Sequence, residues 1–155
     1  MDWTKQLAVV TGGTQGIGWA IVDALAKRGA TVAFCSRHAE AAEDLAHDLS
    51  AIGVQAVGAG CDVRDEAQVA AFAERVLRET GKPTILVNNA GIGHFAPVTE
   101  MTAAAWDDVI ATNLRGMFLV TRAFLPAMLA RGSGDVVNIA SLAGRNGIAH
   151  GAAYS

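Results

Sequence analysis

The chain has 155 residues, 52% of them hydrophobic and 17% charged, with a formal net charge of -3. That is enough apolar material for one compact core and too little charge for a disordered chain. The acidic balance offers no footprint for nucleic acid. Apolar runs such as 7–10 and 85–87 are too short to cross a bilayer, and the N-terminus lacks the charged, apolar, small-residue order of a secretory leader. Cys35 and Cys61 have no CxxC spacing and read as buried thiols of a cytoplasmic protein. No cluster of His, Cys and carboxylates has metal-ligand spacing, so no metal site is expected.

In chain order, residues 6–10 read as a strand. A glycine turn and a helix over 16–27, closed by Gly29, follow it. A second strand spans 31–35. A helix over 39–51 places Leu45, Leu49 and Ile52 on one face, and Gly53 stops it. A weaker strand covers 54–59. Asp65 can cap a helix reaching about 79, with Val69, Phe72 and Val76 inward. Pro83 precedes a strand over 84–87. One long helix is expected over 103–128, with Pro126 bending or shortening its end. A fifth strand over 135–139 leads into a glycine-rich loop, and a further helix should begin near Gly151.

Alternating strands and helices, with strands that are apolar throughout, imply a parallel sheet covered on both faces. The expected fold is therefore α/β, a doubly wound parallel sheet of the Rossmann kind. It forms a single dinucleotide-binding domain over 1–155 that breaks off after about the fifth strand. The turn Thr11-Gly12-Gly13-Thr14-Gln15-Gly16-Ile17-Gly18 gives that expectation its chemistry. Gly12 permits the sharp exit from the strand, and Gly16 lets a phosphate approach the backbone. Gly18 lets the helix pack close to the sheet, and the helix N-terminus offers free N–H groups to a pyrophosphate. The spacing is not G-x-G-x-x-G, so an ordinary strand–helix turn is the competing reading.

The second strand ends Cys35-Ser36-Arg37-His38, without the acidic residue that holds a ribose 2′-hydroxyl in NAD-binding folds. A guanidinium there suits a 2′-phosphate, which favours NADP(H) over NAD(H). A solvated surface arginine is the plainer alternative. Asp62 can accept from an adenine amino group, cap its own turn, or do both.

With Asn88-Asn89-Ala90-Gly91, Asp62-Val63, Asn113, Ser141 and Tyr154 added, the chain resembles the N-terminal part of a short-chain dehydrogenase/reductase. The likeness is greatest to 3-oxoacyl-carrier-protein reductase and tropinone-reductase-like members. The resemblance implies an oxidoreductase that interconverts a small carbonyl compound and its alcohol, and a homo-oligomer when full length. It implies cofactor contacts at Gly12, Thr14, Gln15, Gly16, Ile17, Gly18, Ser36, Arg37, Asp62, Val63, Asn89, Ala90 and Gly91. It also implies catalytic roles for Asn113 in a proton relay, for Ser141 on the substrate oxygen and for Tyr154 as acid or base. The family's Tyr-x-x-x-Lys lysine would fall three residues beyond Ser155, so this chain alone is expected to be inactive or impaired. A dinucleotide-binding module without turnover is the alternative. Ile92, Gly93, His94 and Phe95, with Leu142, Asn146 and His150, are expected to line the substrate cleft.

Overall fold

The computed structural model describes residues 2–155. Five parallel strands form one sheet: β1 (Leu7–Thr11), β2 (Thr31–Ser36), β3 (Ala56–Gly60), β4 (Ile85–Asn88) and β5 (Asp135–Asn138), in the order β3-β2-β1-β4-β5. The helices are α1 (Gly16–Ala26), α2 (Ala39–Ala51), α3 (Glu66–Thr80), α4 (Ala103–Ile110) and α5 (Met117–Arg131). The period of two within each strand divides the apolar residues between two cores. Val9, Cys35, Leu86 and Val57 pack with Phe72, Val76 and Phe124 on the face of α3 and α5, whereas Val10, Phe34 and Val87 pack with Val22, Ala46 and Leu49 on the face of α1 and α2. The Phe72 and Phe124 rings meet edge to face at 5.8 Å. Both cysteines are free and buried. The contact of Cys35 with Cys61, together with burial, pushes the Cys35 thiol well up.

Three expectations are corrected. The long helix spans its expected range but is not α-helical throughout: Ala111–Gly116 forms a π-helical turn between α4 and α5. Pro126 neither shortens nor ends α5, which runs to Arg131 and stops where Gly132 takes a left-handed conformation (φ 85°). Phe124 and Met128, buried on either side of the proline, hold the helix on the sheet across the missing N–H. Ile52 leaves the buried face of α2, because the chain has already turned out of the helix there, and is 76% exposed. At Gly151 the chain makes a single turn in which Tyr154 N and Ser155 N both donate to Gly151 O at 2.8 Å, the i+3 and i+4 spacings of a first helical turn. The third strand also starts two residues later than expected. Asp65 caps α3 as foreseen, accepting from the N–H groups of Ala67 and Gln68.

Gly58 explains why α2 lies so close to β3. A Cβ at this position would sit 1.8 Å from Ala42 O and 3.1 Å from the Ala46 Cβ. Gly58→Ala is therefore expected to lower stability by about 3 kcal/mol, at the top of the usual cost of overpacking. The urea-unfolding midpoint checks this.

Candidate functional site

The strand order reverses between β1 and β4, and a crevice opens beyond their carboxyl ends. The chain is tied across that crevice by side chains. Thr11 Oγ1 accepts from the N–H groups of Asn89 and Ala90 at 3.0 Å each, and Asn89 Nδ2 donates to Thr11 O at 2.9 Å and to Gly12 O at 3.2 Å. The glycine turn is fitted against this junction. A Cβ on Gly18 would meet Gly12 O at 2.1 Å and Asn89 Nδ2 at 2.5 Å, so α1 can start here only with glycine. Gly16, with φ 55°, has open space where a side chain would stand. Gln15 is the N-cap of α1 and makes no side-chain capping bond. The first-turn amides therefore face the crevice without a protein side chain over them.

A cavity of about 310 Å³ lies there. Gly12, Thr14, Gln15, Gly16 and Ile17 line it from the turn, Ser36 and Arg37 from the end of β2, and Asp62 and Val63 from the loop after β3. Asn89, Ala90 and Gly91 close it from β4. Of the residues expected to bind a cofactor, only Gly18 is absent from the lining, because it is buried beneath the turn. Arg37 has no ion-pair partner among the described residues, and its charge helps hold the Asp62 carboxyl down. Ser36 is less free: its hydroxyl donates to His38 O at 2.8 Å.

A second cavity, of about 900 Å³, shares Asn89, Ala90, Gly91 and Ile92 with the first. Asn113, Ser141 and Tyr154 all line it. They arrive from the π-helical turn, the end of β5 and the final turn of the chain. Asn113 clasps a neighbouring loop with both ends of its amide: Oδ1 accepts from Ile92 N and Nδ2 donates to Ile92 O, both at 2.8 Å. The π-helical turn widens the helix where this side chain leaves it, a distortion common at functional sites. Ser141 Oγ accepts from Ala143 N at 3.1 Å and retains its own proton to donate. The Tyr154 ring meets Phe95 edge to face at 5.5 Å. Asn88, on the cavity floor, donates to Thr121 Oγ1 and Asn138 Oδ1 at 2.9 Å each, and its own Oδ1 has no partner among the described residues.

The expected substrate lining is partly corrected. Ile92, Gly93 and Phe95 border the cavity, but His94, Leu142, Asn146 and His150 do not. His94 turns to Asp108, and Leu142 is 79% exposed because the 3₁₀ turn Leu142–Gly144 throws it outward. Arg145 lines the cavity and was not anticipated; its loop carries no spacing signal that marks it. A second omission is Arg64. Its Nε and Nη2 grip both oxygens of Asp62 at 2.6–3.0 Å, its Nη1 donates to Asp108, and its carbonyl accepts from Arg115. Asp62 also accepts from Arg64 N at 3.0 Å, so its turn-capping role is realised. No group of three or more potential metal ligands occurs among the described residues. No helix among them is long and apolar enough to cross a membrane.

The profile of the short chain dehydrogenase family matches residues 6–155, and the chain belongs to that family. It is 41% identical to a putative ketoacyl reductase of Streptomyces coelicolor, over 97% of this chain and 59% of that protein. It is 44% identical to the D-threitol dehydrogenase of Mycolicibacterium smegmatis, over 89% and 53%. Among solved structures, a metagenomic short-chain oxidoreductase in complex with NADP superposes with a TM-score of 0.91 at 43% identity, covering 99% of this chain and 70% of that one. An actinorhodin polyketide ketoreductase variant with NADPH gives 0.92 at 40% identity, covering 98% and 59%. The chain thus spans little more than half the length of the curated relatives.

Two predictions follow from these contacts. Asn113→Ala leaves the N–H and C=O of Ile92 without partners. It is expected to cost about 2 kcal/mol, within the range for unsatisfied groups, and to speed hydrogen exchange at the Ile92 amide. Calorimetry and exchange NMR measure the two effects. The second concerns acid. The Arg64 guanidinium holds the Asp62 carboxyl below its ordinary value, and His94 and then Arg64 do the same for Asp108. A carboxyl depressed on folding stabilises the fold above the unfolded value of about 3.9 and loses that contribution as pH falls through the folded value. Between about pH 5 and about pH 2 the urea midpoint should fall more steeply in the wild type than in Arg64→Met.

Proposed function

We propose that the protein is an NADP(H)-dependent oxidoreductase that interconverts a small carbonyl compound and its secondary alcohol. The carrying observation is a convergence. Asn113, Ser141 and Tyr154, far apart in sequence, line one cavity that shares a wall with a crevice shaped for a diphosphate. The residues present fit the cofactor. The uncapped start of α1 suits the pyrophosphate, Gly16 leaves room for it, and Arg37 stands where a 2′-phosphate would lie. The NADP and NADPH named with the two structural relatives support the same choice.

The nicotinamide, when bound, supplies or receives the hydride. The chain's own residues do the rest. Ser141 directs its hydroxyl hydrogen bond at the substrate oxygen, keeping its proton, while its Oγ accepts from Ala143 N. Tyr154 gives its phenolic proton in reduction and takes it back in oxidation. Asn113 fixes the Ile92 backbone that separates the two cavities, and it carries a further lone pair and N–H for a proton relay. Ile92, Phe95 and Met117 give the substrate an apolar wall. We further infer a cytoplasmic homo-oligomer. The outer face of α5 presents Phe118, Leu125 and Leu129, 55%, 36% and 70% exposed, as a stripe suited to a second copy.

Calorimetric titration with NADPH and NADH tests the nucleotide part. Arg37→Ala should weaken NADPH binding by about tenfold or more, roughly 1.4 kcal/mol, and change NADH binding far less. Equal losses for the two nucleotides would overturn the assignment of Arg37. For the chemistry, Tyr154→Phe in the full-length protein should abolish NADPH oxidation across a panel of ketones, diketones and 3-oxoacyl thioesters and leave NADPH affinity unchanged; the 155-residue chain alone should bind NADPH with little or no turnover. Binding without turnover in the full-length wild-type protein would leave a nucleotide-binding module.

A further inference from the structure

Asp108 lies in α4, outside both cavities, and its two carboxylate oxygens are taken by different elements. Oδ1 accepts from Arg64 Nη1 on the loop after β3, and Oδ2 lies 3.1 Å from His94 Nε2 on the loop after β4. The Arg64 side leads to the nucleotide cavity, since Nε and Nη2 hold both oxygens of Asp62, which lines it. The His94 side leads to the other cavity. The next residue, Phe95, carries the ring that meets Tyr154 at 5.5 Å. The one after, Ala96, bridges Gly151, and its N–H donates to His150 O at 2.9 Å. Three consecutive residues therefore connect α4 to the segment that carries Tyr154. Asn113 grips the same loop upstream, at Ile92, and His94 ties its downstream half back to α4.

We propose that Asp108 is a positioning residue for Tyr154, acting through His94 and the Phe95–Ala96 strip, and that Arg64 links this placement to the nucleotide cavity. Its catalytic meaning rests on the oxidoreductase reading above; the mechanical link does not. A carboxylate suits this place because it has two equivalent acceptors and can serve a guanidinium and an imidazole at once, which a hydroxyl cannot do with comparable reach.

Tyr154 is the only tyrosine in the chain, so protein labelled on the tyrosine ring gives a single set of ring signals in NMR. The Phe95 ring displaces those signals from the positions of free tyrosine. In Asp108→Ala at least half of that displacement should be lost, with the amide signals of β1 and β4 unchanged. Asp108→Asn still offers an oxygen to His94 and should retain most of it. His94→Ala, at an exposed position, should repeat the loss without disturbing the Arg64 pair. Tyr154 signals that stay in place in both alanine variants, with the sheet signals intact, overturn the proposal. Adenosine 2′,5′-bisphosphate then probes the link to the nucleotide cavity. It should move the Tyr154 signals in the wild type and bind Asp108→Ala without moving them; equal movement in both overturns the link through Arg64. Failure of the bisphosphate to bind the wild type counts against the nucleotide reading alone, and the ligand-free comparison still decides the role of Asp108.

Discussion

The structure depends on how the chain closes the split between β1 and β4. Where neighbouring strands send their crossovers to opposite faces, the ends of both strands are left with backbone groups that no ladder can satisfy. Thr11 and Asn89 answer this with four hydrogen bonds across 77 to 79 residues of sequence. Once Asn89 lies over Gly12 O, the position beneath it has no room for a side chain, and Gly18 is the consequence. Once α1 begins at that point, its free amides face the crevice. The nucleotide cavity is thus a product of how the sheet is finished, and the glycine pattern is its trace in the sequence.

This explains why so much was legible. A crevice built from backbone approach demands glycine at particular positions, and a buried parallel sheet demands runs such as Leu7–Val10 and Val32–Cys35; both leave marks on residue type. The π-helical turn leaves none. Asn113 was visible as a residue, but the widened helix it stands on and its partner Ile92, 21 residues away in another segment, were not. The ion pair of Arg64 with Asp108 was hidden for the same reason: Asp108 lies 44 residues further on, in a different element. Helix ends went wrong where tertiary packing overrode a local rule. Pro126 should stop a helix on propensity alone, but Phe124 and Met128 are buried around it and the helix continues to Gly132.

The two cavities are held by different physics. The nucleotide side is backed by the sheet, where residues such as Val10 and Phe34 are wholly buried and each contributes about 1.5–3 kcal/mol. The loop that carries Gly91 to Phe95 is mostly exposed and has little apolar burial of its own. It is held by side-chain hydrogen bonds from Asn113, and each such bond contributes only about 1 kcal/mol net.

On the function proposed above, this division places the better-packed side where a diphosphate is to be received in one geometry and the less-packed side at the substrate cavity. Loops held by a few hydrogen bonds open at much lower free energy than core strands. Polar contacts at defined atoms specify one position of the loop more sharply than packing would, because hydrogen bonds are directional and apolar contacts are not. That is the property needed of a loop whose Phe95 ring is a direct neighbour of Tyr154.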